Sequence, residues 1–163
     1  FLPDLKNKRE YKFAFLVHPR NTSDVFRKYP GLKILPKKWL EKFLTFYWPV
    51  TLSKITGVKS IATGKSLYGF IITIPLTARQ MMENRQLALR KIIQGTKLAE
   101  KLGARLIGLG GLTSSLSKGG LDLLEKININ VTTGHAYTAY NVTQTFLKLV
   151  EVLSANKSKI ILL

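Results

Sequence analysis

Two short loops in the second half of the chain carry residue types that could bind a ligand. The first, Gly110–Ser117, follows an apolar run that ends at Leu109, and the second, Thr132-Thr133-Gly134, follows a run that ends at Val131. Glycine lets the backbone approach a ligand closely, and threonine and serine hydroxyls both donate and accept hydrogen bonds. A helix that begins at such a loop adds backbone N–H groups that favour an anion or a polarised carbonyl. These loops predict a ligand cleft, the alternative being ordinary turns and helix caps.

His135 directly follows the second loop and is the candidate catalytic residue, as an acid, a base or a hydrogen-bond donor. The alternative is a surface histidine at a helix start. The predicted substrate-binding residues lie in the two loops or just after them: Gly110, Gly111, Thr113, Ser114, Thr132, Thr133, Gly134, Tyr137 and Tyr140. His18, at the end of the first predicted strand, is a further candidate to face the cleft. No metal cluster, catalytic triad or carboxylate pair can be assembled, so no metal-binding or cofactor-binding residue is predicted within the chain.

Strands and helices alternate along the sequence and would bring these loops to one edge of a sheet. Strands are predicted at Tyr11–His18, Arg105–Leu109 and Ile127–Val131, and a hairpin within residues 50–74. The alternation predicts an α/β domain with a mainly parallel sheet, flanking helices and an appended β-hairpin. In such sheets ligands bind beyond the carboxyl ends of the strands.

A long helix is predicted over Ala78–Leu102, with Lys91 among the basic residues on its solvent side. Its inward positions step by threes and fours: Met81, Ala88, Ile92, Thr96, Ala99 and Leu102. A further helix is predicted over His135–Leu153. A shorter one carries Trp39, Leu40, Phe43 and Leu44, and we expect its aromatics to pack on the sheet. The alternative, given the neighbouring lysines, is an element that touches a membrane surface.

The net charge is +17, and residues 1–103 account for +14 of it. A basic surface of this kind is typical of proteins that meet nucleic acid, an anionic membrane or an acidic protein, and it is also typical of a solvated face. The sequence contains no cysteine, which excludes a disulfide framework, a Cys-ligated zinc site and a thiol nucleophile within it. This composition is compatible with a cytoplasmic protein. No secretory signal and no apolar run long enough to span a bilayer are visible.

The chain begins with Phe1 and ends in an apolar run, Lys159–Leu163, that is typical of the start of a buried strand. We therefore expect a fragment of a longer protein. Residues 1–10 are predicted to be a leader and residues 11–156 a substrate-binding α/β domain. Residues 157–163 are predicted to be a linker and the first strand of a nucleotide-binding domain.

The motifs Leu109–Ser114, Val131–Gly134 and Thr138-Ala139-Tyr140 together resemble those of the cyanobacterial-type long-chain acyl-(acyl carrier protein) reductases. Upstream, Ala62-Thr63-Gly64-Lys65 and the first strand, Phe13–His18, fit the same pattern. The resemblance covers most of residues 11–163. This sequence departs from the pattern in two places: His135 stands where the family has Asn, and Tyr137 where it has His.

The resemblance implies the Rossmann-like, amino-terminal substrate domain of an enzyme that uses NADPH to reduce a fatty acyl thioester to an aldehyde. It further implies that the cofactor and an acylated cysteine belong to a following domain, and that acyl carrier protein or acyl-CoA is the partner that donates the acyl group. The departures at His135 and Tyr137 imply a different polar group facing the substrate. Two alternatives remain: a shikimate dehydrogenase-like substrate domain for a small hydroxy or keto acid, and a basic module for nucleic acid or anionic lipid. Of these partners nucleic acid is the least favoured, and peripheral membrane contact stays open.

Overall fold

A five-stranded sheet in the order β2-β3-β1-β4-β5 organises the first part of the chain. The computed structural model describes residues 11–155, so the predicted leader at 1–10 and the predicted linker and strand at 157–163 lie outside the described residues. The five strands are β1 Tyr11–Val17, β2 Val50–Lys59, β3 Ser66–Thr73, β4 Leu106–Leu109 and β5 Asn130–Thr132. The pairs β1–β3, β1–β4 and β4–β5 are parallel, and β2 pairs with β3 as an antiparallel hairpin. The predicted α/β class, with a mainly parallel sheet and an appended hairpin, is therefore confirmed.

The helices are α1 Thr22–Lys28, α2 Lys37–Phe46, α3 Ala78–Glu83, α4 Arg85–Lys101, α5 Leu112–Leu116 and α6 His135–Ala155. Two 3-10 turns, Pro30–Ile34 and Lys118–Leu123, complete the described elements. The chain divides into two compact units, Phe1–Thr133 and Gly134–Leu163. The domain predicted over residues 11–156 thus spans both units. The second unit contains α6, which begins as predicted at His135 and ends two residues beyond the predicted Leu153.

The two faces of the sheet in the first unit are covered differently. Ala14 and Leu16 of β1 are buried on the face that packs against α4, because alternate residues of a strand point to the same side. The contact is close: a Cβ atom at Gly95 of α4 would lie 2.7 Å from Leu16 Cδ1. Phe15 and Val17 point to the opposite face, over which the chain from α1 to α2 passes.

The prediction of one continuous helix over Ala78–Leu102 is wrong, since α3 ends at Glu83 and α4 begins at Arg85. Asn84 has a non-helical backbone, and its side chain accepts a hydrogen bond from the Leu87 N–H at 2.9 Å. Asparagine is a good N-cap because its side-chain oxygen accepts a hydrogen bond from a backbone N–H in the first turn of a helix. Asn84 therefore stabilises the start of α4 at the point where the two helices are separated. The predicted inward positions are confirmed: Met81, Ala88, Ile92, Thr96 and Ala99 are buried and Leu102 is partly buried.

The sequence predicted that Lys91 lies on the solvent side of its helix, but the residue is buried. Its Nζ donates a hydrogen bond to the backbone oxygen of Tyr47, which follows α2, and lies 6.0 Å from the centroid of the Trp48 ring. Burial, and next the neighbouring Arg90, hold the pKa of Lys91 below its ordinary value. The lysine therefore fastens the end of α2 to α4.

The aromatic residues of α2 do not pack on the sheet, so that prediction is wrong. Leu40 and Leu44 are the buried residues of this helix, whereas Trp39, Phe43 and Phe46 are exposed. Among residues 11–155, no helix combines the length and the apolar character needed to cross a membrane.

Replacing Gly95 by valine tests the contact between α4 and β1. The added methyl groups would meet the fully buried Leu16, so we expect the free energy of unfolding to fall by about 1–3 kcal/mol, as measured by urea denaturation. Gly31→Val is the control, because a Cβ at Gly31 meets nothing within 4 Å. We expect it to change stability by less than about 0.5 kcal/mol. Equal losses in the two variants would contradict the packing argument.

Candidate ligand-binding site

A cavity of about 730 Å³ lies beside the carboxyl ends of β1 and β3, between the sheet and the segment from α1 to α2. Most of its lining is apolar, and the carboxylate, guanidinium and ammonium groups in the lining all come from α1. The lining residues are Val17, His18, Pro19, Asp24, Val25, Arg27, Lys28, Tyr29, Leu32, Phe43, Leu44, Tyr47, Val50, Leu52, Ser53, Ile71, Thr73 and Pro75. Small-molecule sites in proteins commonly have this size and this balance of apolar and polar groups.

Strand register builds the floor of the cavity. Val17 pairs with Thr73 across the parallel strands β1 and β3, and Ile71 lies two residues earlier on the same face of β3. In β2 the register shifts between Thr51 and Ser53, so the neighbouring residues Leu52 and Ser53 both line the cavity. Such an irregularity re-aims side chains that would otherwise alternate between the faces of a sheet.

Charged residues of α1 line the cavity with a cationic excess. Asp24 Oδ2 accepts hydrogen bonds from the Arg20 backbone N–H at 3.0 Å and from Arg20 Nε at 3.3 Å, and Arg27 Nη2 lies 3.4 Å from Asp24 Oδ1. The hydrogen bond from the Arg20 side chain is the main reason that the pKa of Asp24 lies below its ordinary value. The carboxylate is therefore ionised and engaged with arginine, and Arg27 and Lys28 together outweigh it. This balance favours a ligand with an anionic or polar head group.

His18 joins the cavity to the first predicted loop. Its Nε2 accepts a hydrogen bond from the Leu112 N–H at 3.2 Å, which places the ring proton of the neutral imidazole on Nδ1, 3.1 Å from the oxygen of Pro19. A Cβ at Gly111 would lie 2.8 Å from His18 Nε2, and Gly111 has φ +56°. Glycine at this position is thus required both by the backbone conformation and by the close approach of the ring.

The loop Gly110–Ser117 follows β4 as predicted, but the hydroxyl groups of Thr113 and Ser117 form hydrogen bonds within the loop itself. The Gly110 N–H donates to the Leu16 oxygen at 3.0 Å, which holds the loop to the end of β1. Thr113 is buried, and its hydroxyl donates to the Gly110 oxygen at 2.8 Å; Ser114 is also buried. Ser117, which was not singled out, is buried and donates to the Thr113 oxygen at 2.6 Å.

The second predicted loop is divided between the two units. Thr132 lies on β5 opposite Gly108 of β4, so it occupies the strand next to the one that leads into Gly110 and Gly111. Gly134, His135, Tyr137 and Tyr140 belong to the unit that contains α6, where both tyrosines have exposed side chains. The structure thus brings Gly110 and Gly111 to His18, at the edge of the sheet that also carries Thr132. A ligand contact by any residue of the two loops remains a prediction.

Sequence reasoning missed the residues that line the cavity, apart from His18. The sheet residues Val17, Ile71 and Thr73 are ordinary strand residues, and their sequence signal is only their alternation on one face. Among residues 11–155, no group of three or more histidines and carboxylates is arranged to hold a metal ion.

The chain shows a partial likeness to a known protein. The chain is similar to "Aminotransferase PigE" of Serratia sp. (strain ATCC 39006). The two are 28% identical over 145 residues, which is 79% of this chain and 16% of that protein. No family model matches the sequence. The chain therefore spans about 16% of the length of this relative, most of which lies outside the matching segment.

Gly111→Ala tests the junction between His18 and the loop. The new Cβ would meet Nε2 of His18 in a backbone conformation that alanine rarely adopts, so we expect a loss of about 2 kcal/mol or more in the free energy of unfolding. Gly119→Ala is the control, because Gly119 also has a positive φ but a Cβ there meets nothing within 4 Å. We expect it to cost about 1 kcal/mol. The idea fails if Gly119→Ala costs as much as Gly111→Ala in chemical denaturation.

Proposed function

We propose that this chain is the acyl-binding part of a larger, NADPH-dependent oxidoreductase that reduces a fatty acyl thioester to an aldehyde. The observation that carries the proposal is the cavity of about 730 Å³, whose lining is predominantly apolar and whose charged residues are cationic in balance. A hydrocarbon chain gains free energy from leaving water for such a lining. A cytoplasmic location belongs to the same proposal.

The position of the cavity suggests how the acyl group would be oriented. The alkyl chain would lie against Val17, Ile71 and Leu44, with the thioester towards His18 and the loop that begins at Gly110. That loop carries the motif that resembles the acyl reductases, and it lies at the carboxyl edge of the sheet, where α/β proteins place their ligands. Arg27 and Lys28 would then be near the anionic carrier of the acyl group, which is acyl-CoA or acyl carrier protein in this proposal.

The proposed reaction transfers a hydride from NADPH to the acyl carbon and breaks its bond to sulfur. The carrier sulfur takes up one proton and leaves as a thiol, with NADP⁺ and the aldehyde as the other products. NADPH would supply the hydride from a part of the protein outside this chain. The sequence contains no cysteine, so any acyl-enzyme thioester would also form outside it. The chain itself binds, orients and shields the substrate in this proposal, and His135 remains the predicted donor or acid.

The likeness to an aminotransferase is compatible with this role. Aminotransfer uses a carbonyl compound as the amino acceptor, and an aldehyde is such a compound. The buried Lys91 does not suit the role of an aminotransfer lysine, because its Nζ is engaged with the Tyr47 oxygen. The small hydroxy or keto acid of the alternative hypothesis is less favoured, because it would leave an apolar cavity of this volume largely unfilled.

The substrate class is tested by titrating the chain with palmitoyl-CoA and with shikimate in a calorimeter. Ile71→Trp would fill the floor of the cavity, so we expect it to weaken palmitoyl-CoA binding by about tenfold or more. Phe15→Trp is the matched control: Phe15 pairs with Ile71 across the two strands, on the same face, but does not line the cavity. We expect it to bind palmitoyl-CoA as the unmodified chain does.

Before binding is compared, circular dichroism is used to check that both variants retain the fold. If Ile71→Trp is unfolded, Ile71→Phe fills less of the cavity and replaces it, with an expected loss of about threefold or more. Undiminished binding in a folded Ile71 variant, or binding of shikimate in preference to palmitoyl-CoA, contradicts the proposal.

A further inference from the structure

Helix α2 is fastened along one side by contacts of several kinds. Leu40 is fully buried and Leu44 nearly so. Arg79 of α3 forms an ion pair with Glu41 at 2.6 Å, and Gln80 Nε2 donates to the Glu41 backbone oxygen at 2.8 Å. At the far end of the helix, the buried Lys91 donates to the Tyr47 oxygen. These contacts fix which side of the helix faces outward.

The outward side carries an aromatic stripe that consists of Trp39, Phe43 and Phe46. The three residues are spaced by four and three positions, so they lie on one face of the helix. Trp39 is 72% exposed, Phe46 is 75% exposed and Phe43 is 49% exposed. The stripe continues into Tyr47 and Trp48, which are exposed as well. Because the side of α2 that carries Leu40 and Leu44 is anchored, these aromatics cannot reach the core by a simple rotation of the helix.

The charges around the stripe are almost all positive. Residues 33–48 contain four exposed lysines, Lys33, Lys37, Lys38 and Lys42, and a single carboxylate, Glu41. That carboxylate is paired with Arg79, so it does not offset the lysines at the surface. The upstream Ile34 adds a fully apolar side chain that is 89% exposed. The segment therefore presents Trp, Phe, Tyr and Ile within a cationic border.

We propose that residues 33–48 form a peripheral membrane-binding surface, with the aromatic stripe entering the interface of a bilayer that contains anionic lipids. Amphipathic helices with aromatic residues on one side and lysines beside them bind in the plane of the interface in this way. Tryptophan and tyrosine are favoured at this depth because their rings are apolar and each carries one polar group. The lysines would meet the anionic head groups.

The chemistry of the stripe favours a bilayer over an acidic protein as its occupant. An acidic protein would account for the lysines, but it would not by itself account for Ile34, Trp39 and Phe46, whose apolar side chains need an apolar environment. The cavity adds a second reason: Phe43 and Tyr47 line it and are also about half exposed at the surface. One helix is thus both a wall of the apolar cavity and the support of the stripe. Membrane binding does not depend on what the cavity holds.

Flotation with vesicles tests the proposal on the full 163-residue chain. We expect the chain to float with vesicles of phosphatidylcholine and phosphatidylglycerol and to bind phosphatidylcholine vesicles more weakly. Trp39→Ser/Phe46→Ser should weaken binding to the anionic vesicles by about tenfold or more, since neither residue lines the cavity and both face outward. Lys37→Gln/Lys38→Gln should weaken it by about fivefold for each lysine removed.

The matched control is Leu121→Ser/Leu124→Ser, which removes two exposed leucines from another part of the surface and should leave binding unchanged. Circular dichroism of each variant separates lost binding from lost folding, and Trp39→Tyr/Phe46→Tyr should restore most of the affinity. The proposal is overturned if the chain does not float with anionic vesicles, or if the serine variants of the stripe and of the control lose affinity equally. It is also overturned if the stripe variant loses binding to acyl carrier protein while its vesicle binding is intact, since the partner would then be that protein.

Discussion

The parallel pairing of β1 with β3 on one side and with β4 on the other constrains the rest of the first unit. Parallel neighbours cannot be joined by a tight turn, so each connection must cross a face of the sheet. The connection that leaves β1 crosses the face of Val17 through α1 and α2, and the connection that leaves β3 crosses the face of Leu16 through α4. The two connections therefore run over opposite faces of the sheet. The space for a ligand lies at the carboxyl end of β1, beside His18.

The position of α2 depends on contacts made far away in the sequence. Lys91 is buried although burial lowers the pKa of its ammonium group, and the hydrogen bond to the Tyr47 oxygen offsets part of that cost. The ion pair between Arg79 and Glu41 is more exposed and contributes less, about 1 kcal/mol at most by comparison with other surface pairs. Leu40 and Leu44 supply the apolar part of the anchor. The cavity wall and the aromatic stripe both depend on this combination.

The sequence predicted those features that follow from a repeat along one element. The inward positions of α4, such as Ile92 and Ala99, follow from a helical period, and the strands follow from short β-branched and apolar runs. Periodicity could not decide between the two apolar stripes of α2, because Leu40 and Leu44 have the same spacing as Trp39 and Phe43. The leucines occupy the core, which only the packing of the whole unit determines. The burial of Lys91 was unpredictable for a similar reason, since its acceptor, the Tyr47 oxygen, is 44 residues away.

The candidate site shows the same division between local and distant determinants. The glycines of the first loop were recognisable from the sequence, because glycine is the residue that allows a close approach to the backbone. At Gly111 the group that approaches is the ring of His18. That ring is hydrogen-bonded to Leu112, which lies 94 positions further along the chain. The lining of the cavity could not be worked out from the residues, since it depends on a register shift in β2 and on the path of the chain above it. The engagement of His18 also bears on its role. Because one ring nitrogen accepts from Leu112 and the other faces the Pro19 oxygen, proton transfer by His18 would disturb the junction that holds the loop to β1. The geometry therefore favours His18 as a positioning residue and leaves acid–base chemistry to groups outside this junction.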